Sequence, residues 1–125
     1  MTPFEQQFDI IKASFPEAAY QLLPSGAILV VIPNFPLPSG WNLDSTTIRF
    51  LAPVGFPFAR PDCFWADQAL RVANGGMPQN TNISAIPETS INYLWFSWHV
   101  GQWNPNRDNL STYIKVIQDR FKVSQ

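Results

Sequence analysis

Apolar residues recur every three to four positions at the start of the chain. Phe4, Phe8 and Ile11, with Ile10 beside them, predict an amphipathic helix over residues 3–14. Its beginning is marked by Thr2-Pro3-Phe4-Glu5: a hydroxyl cap, proline at the first helical position, and Glu three residues after the cap. Pro16 is placed to end it. The period then shortens. Tyr20-Gln21-Leu22-Leu23 predicts a short strand and Pro24-Ser25-Gly26 a turn. Ala27-Ile28-Leu29-Val30-Val31-Ile32 is β-branched, apolar and too short for a helix, so it predicts a buried strand. Residues 33–40 form a loop, Thr46 to Leu51 alternate as a third strand, and Cys63-Phe64-Trp65 forms a short fourth. Together these predict an antiparallel meander joined by turns.

Residues 67–92 carry no clear period and are predicted as a long loop, a length that in a compact domain points to function. Tyr93 to His99 is an aromatic run able to extend along the core, and Gly101 to Asn106 is a rigid corner. Leu110, Tyr113, Ile114, Ile117 and Phe121 mark one face of a last helix that starts near Asp108, with Asp or Asn as its cap. Lys115, Arg120 and Lys122 fall in its later half, where the helix dipole favours cations. One helix, about four strands, a long loop and one helix make an α+β class, expected as a single domain over residues 1–125.

Composition narrows the function. A chain of 125 residues that is 46% hydrophobic and 14% charged is globular. A net charge of −1 gives no basic surface for nucleic acid and no polybasic stretch for anionic lipid. No segment approaches the roughly 18 apolar residues of a membrane span. The N-terminus lacks the charge and apolar stretch of a signal peptide, so the cytoplasm is expected. The sequons at Asn82 and Asn109 then have no meaning. A single cysteine excludes an internal disulfide, and one Cys with one His does not fill a zinc shell without carboxylates. No metal or cofactor is expected, and Gly75-Gly76 lacks the spacing of a nucleotide-binding loop. Twelve prolines, spread from Pro3 to Pro105, punctuate a fold with many rigid turns.

The one thiol, Cys63, follows the run Phe56-Pro57-Phe58-Ala59-Arg60-Pro61. Free cysteines are frequently core residues, and Phe64 and Trp65 beside it fit that reading too. The order of motifs resembles the ubiquitin-conjugating E2 fold. There, an N-terminal helix precedes a four-stranded meander, a proline-aromatic run leads into the fourth strand, and Trp-x-Pro precedes the next helix. Phe56 to Pro61 stands in the first place and Trp103-Asn104-Pro105 in the second. The chain departs from the main branch of E2 enzymes in two ways. It has no His-Pro-Asn tripeptide, and no cysteine between the fourth strand and Trp103, where their nucleophile lies. The pattern is instead similar to prokaryotic E2 family E, which pairs a cysteine near the proline-rich run with a histidine nearer the C-terminus.

That resemblance implies an E2-like carrier in a bacterial conjugation pathway, of the kind tied to antiphage defence. Its partners would be an E1-like adenylating protein, a ubiquitin-like modifier and a metal-dependent JAB-type deconjugating peptidase. Cys63 would carry the modifier as a thioester. His99 would serve as base or oxyanion donor. Asp62 and Asp67 would raise the thiol pKa if close, and would accept a proton from an incoming amine. Asn104 or Asn106 would assist the oxyanion. The alternatives are a core histidine at His99, turn or cap roles for Asp62 and Asp67, and a non-catalytic E2-like binding module. A small Cys–His hydrolase is a further one.

Overall fold

The computed structural model describes residues 1–98 and 100–125. The first helix, α1, spans Pro3–Ser14, and the capping box at Thr2 is formed. The Thr2 hydroxyl accepts from the Glu5 amide at 3.1 Å, and the Glu5 carboxylate accepts from the Thr2 amide at 3.1 Å. Among the described residues six strands follow: β1 Ala19–Leu22, β2 Ile28–Pro36, β3 Ser45–Ala52, β4 Phe64–Ala66, β5 Thr81–Ala85 and β6 Asn92–Phe96. The last helix, α2, spans Leu110–Phe121, with Asn109 as its cap.

The α+β class and both terminal helices agree with the sequence reading. The sheet is larger than the expected four-stranded meander. It has six strands, all antiparallel, in the order β1-β2-β3-β4-β6-β5. The region expected as one long loop contributes β5, and the aromatic run contributes β6, which docks directly on β4. Phe64 faces Phe96 and Trp65 faces Trp95 across that pair. Thr81-Asn82-Ile83-Ser84-Ala85 is an edge strand, half-exposed on both sides. Its polar residues need no partner layer, so no apolar alternation announces it.

Strand alternation divides the side chains between two faces. On one face Val30, Ile32, Ile48, Phe50, Phe64, Ala66, Leu94 and Phe96 meet the buried sides of α1 and α2. Phe64 stacks on Phe96 with ring centres 4.6 Å apart, and Phe121 of α2 lies edge-on to both. The helices are also joined by a polar contact, in which Gln7, midway along α1, accepts from the first amide of α2 at 2.9 Å. On the outer face a smaller cluster forms from Leu23, Ala27, Leu29, Trp65 and Ile86.

The end of α2 is fastened from inside. Arg120 is 4% exposed and donates to the carbonyls of Gln79, Val123 and Gln125. Trp41 donates to the Phe121 carbonyl at 2.9 Å. A Cβ at Gly40 would collide with Ser124, so glycine there lets the tail pack flat against the loop after β2.

Candidate thiol site

The two motifs that flank the site in the sequence meet in space. Trp103 donates its indole N–H to the Pro57 carbonyl at 2.7 Å. Its ring lies 6.1 Å from Phe56, whose own ring is 6.4 Å from Phe4 of α1. The loop turns tightly at Gly55, whose carbonyl accepts from Phe58 and Ala59. Gly55 has φ +90°, a conformation that favours glycine. The Phe56-Pro57 peptide is cis. Phe58 projects outward, 80% exposed, while Pro61 is buried, so the loop re-enters the body just before Asp62.

Cys63 is the residue before β4. Alternation puts it on the outer face with Trp65, while Phe64 points into the helix-side core. The thiol is half-buried and packs against the outer cluster. In the β4–β6 ladder Trp65 lies opposite Trp95, which makes Trp95 the diagonal neighbour of Cys63 on that face. Diagonal pairs are within reach of aromatic side chains, and Trp95, like Cys63, packs against the outer cluster. Burial pushes the Cys63 thiol above its ordinary pKa, the Trp95 indole lowers it in part, and the negative charge of Asp62 raises it further. The sulfur is therefore a neutral thiol near pH 7.

A second titratable group lies on the helix side of the sheet. Tyr113 of α2 is fully buried and its hydroxyl donates to the Trp98 carbonyl at 3.3 Å. Burial raises its pKa strongly, and the charges of Cys63 and Asp62 raise it further. It stays protonated and a donor. Neither Trp95 nor Tyr113 stands out in the sequence, where both read as core aromatics. Only the strand register brings Trp95 to the thiol's face of the sheet, and only the helix packing buries Tyr113 on the other.

The other expected residues separate. His99 lies outside the described residues. Asp62 is exposed beside the thiol. Asp67 is not near it: four residues further along an extended chain is about 13 Å. Its carboxylate accepts from the Thr46 hydroxyl at 3.0 Å and the Thr47 amide at 3.1 Å, and lies 3.8 Å from Arg49. Asp67 thus ties the end of β4 to β3. Asn104 is exposed in the turn before α2, where its side-chain oxygen accepts from the Asn106 amide at 3.0 Å. Its own amide binds Asp108 at 2.7 Å. That turn is joined to the proline loop through Trp103, and Asn104 shapes it. Among the described residues, no group of three or more His, Cys, Asp or Glu could hold a metal ion, and no helix is long and apolar enough to cross a membrane.

A family model described as Prokaryotic E2 family E matches residues 16–124. The matched span begins after α1 and includes the proline loop, Cys63, the Trp103 turn and α2. No curated protein and no solved structure matches the chain.

Proposed function

The chain belongs to prokaryotic E2 family E, and on that premise we propose that it accepts a ubiquitin-like modifier as a thioester on Cys63 and passes it to an amine. Membership itself associates the chain with ubiquitin-like conjugation, and with E1-like and ubiquitin-like partners in general. The observation that supports the finer reading is the placement of the only thiol. Cys63 sits half-exposed where the proline loop enters β4, on the same face of the sheet as Trp95.

In this reading the Cys63 sulfur attacks the activated C-terminal carbonyl of the modifier held by an E1-like protein. A carbon–sulfur bond forms, the activating group leaves with the bonding electrons, and the thiol proton passes to a base. An incoming amine then attacks the same carbonyl, loses a proton, and releases the Cys63 thiol. Asp62, exposed next in sequence to Cys63, would take that second proton and hand it to the departing thiolate. His99 is the proposed base for the first. A thiol kept neutral suits a carrier, because it receives an acyl group that is already activated and is quiet towards oxidants in between. The work would be done in the cytoplasm of a bacterium by residues 1–125 as one unit, with a JAB-type peptidase reversing it.

The experiment is incubation of the protein with its E1-like partner, ATP and the modifier. The expected product is an adduct that thiol reagents cleave and that Cys63→Ala abolishes. An adduct that survives Cys63→Ala refutes the assignment. The second reading is a non-catalytic E2-like module that binds a partner, favoured by the packing of Cys63 against Leu29 and Trp65 on the outer face. Partner binding unchanged in Cys63→Ala, with no adduct in the native protein, would establish it.

A further inference from the structure

The hairpin of β5 and β6 is joined by residues 86–91. Its pairing ends at Ala85 and Asn92, the end of the sheet where β4 finishes. The β1–β2 turn that holds Ser25 lies at the opposite end, beyond the Leu22–Ile28 and Ile28–Ala52 pairs. Yet Glu88 reaches Ser25. One carboxylate oxygen accepts from the Ser25 amide at 2.9 Å, and the other from the Ser25 hydroxyl at 2.7 Å. Glu88 is three residues from Ala85, about 10 Å of extended chain, so the connection and the β1–β2 turn meet over the outer face without the connection running the length of β6.

Three observations show that this course is held in place. Ile86 is 1% exposed and closes the outer cluster over Leu23, Ala27, Leu29 and Trp65. Thr89 closes the turn locally, with both its amide and its hydroxyl on the Ile86 carbonyl. Glu88 has φ +68°, a left-handed conformation that costs a residue with a Cβ and persists only where its surroundings hold it. The turn Ile86-Pro87-Glu88-Thr89 sets that conformation locally, with Glu88 at its third position, and the bonds to Ser25 fasten the turn to the sheet. Cys63 packs against the same cluster that Ile86 covers.

We infer that residues 86–91 are a strap, clasped to the opposite edge of the sheet by Glu88 and Ser25, that opens to admit reagents to the outer-face side of the Cys63 sulfur. Its apolar anchor is a single isoleucine, and its clasp is a pair of solvent-exposed hydrogen bonds. Such a segment opens locally at far lower cost than the sheet beneath it. The gating stands on the geometry alone. Its consequence, that the strap sets when an acyl donor reaches the thiol, rests on the carrier reading.

The test is the rate at which an aromatic disulfide reagent labels the single thiol of the full chain. Glu88→Asn removes the long carboxylate but keeps a residue that tolerates the left-handed conformation. Ser25→Ala removes the hydroxyl from the other side. Both are expected to label about tenfold faster than the native chain, as for loss of a charge-assisted bond in a local opening. Asn109→Ala, which uncaps α2 without touching the strap, is expected to stay within about twofold. Native-like rates in both strap variants overturn the inference. So does equal acceleration in Asn109→Ala, because access would then follow general unfolding. Faster labelling with no thioester in any variant supports the strap and refutes the carrier; thioester formation with unchanged labelling does the reverse.

Discussion

Replacing Trp103 by Phe probes the joint between the two loops that frame the thiol. The change keeps an aromatic ring against Phe56 and removes the indole N–H that binds Pro57 at 2.7 Å. A net hydrogen bond is worth about 1 kcal/mol, and the lost ring atoms at a half-buried site add about 0.5 kcal/mol. The sum is about 1.5 kcal/mol. For 125 residues the unfolding entropy near the midpoint is about 260 cal/mol/K, so Tm should fall by about 6 °C. Urea denaturation followed by circular dichroism measures the first figure and a thermal scan the second. The loss should be partly shared with Phe56→Leu, because both act on one contact. Amide exchange should also speed up at Phe58 and Ala59, whose bonds to Gly55 lie in the freed loop. A stability change under about 0.3 kcal/mol, or full additivity with Phe56→Leu, would refute the view that this joint holds the loop.

Other residues give independent checks. Phe96 is wholly buried between Phe64 and Phe121, so Phe96→Ala should cost about 3–5 kcal/mol in urea denaturation. Asp67→Ala leaves the Thr46 hydroxyl and Thr47 amide without their acceptor; with the carboxylate 40% exposed, it should cost about 1–2 kcal/mol. It should leave the alkylation rate of Cys63 unchanged, since the two sit at opposite ends of β4; an altered rate would contradict that placement. Alkylation of Cys63 against pH should show a midpoint above the roughly 8.5 of a free thiol. Above that value the unfolded chain loses its proton while the folded chain keeps it. Between about pH 8.5 and pH 10, where Tyr113 begins to contribute as well, stability should therefore fall as pH rises, and Cys63→Ser should lose that dependence.

Helix ends and the first strands were written locally. Thr2 to Glu5 specify the start of α1 through bonds three residues apart, and Asn109 does the same for α2. Contiguous β-branched or alternating runs specified β3 and the first part of β2, because their burial follows from their own side chains; the continuation of β2 through residues 33–36, expected as loop, comes from pairing with β3. The position of Cys63 at the mouth of the fourth strand was legible for the same reason. What the sequence left undetermined depends on register between distant segments. β5 is half-exposed and polar, so it is a strand only because β6 offers it an edge. Asp67 lies four places from the thiol in sequence, but an extended strand turns that spacing into separation and gives the carboxylate to Thr46. Trp95 neighbours Cys63 because antiparallel pairing makes it the diagonal residue, and Glu88 meets Ser25 because two turns distant in sequence come together over the outer face. Local bonds and periodicity are encoded within a few residues; cross-strand neighbours are fixed only when the whole sheet closes.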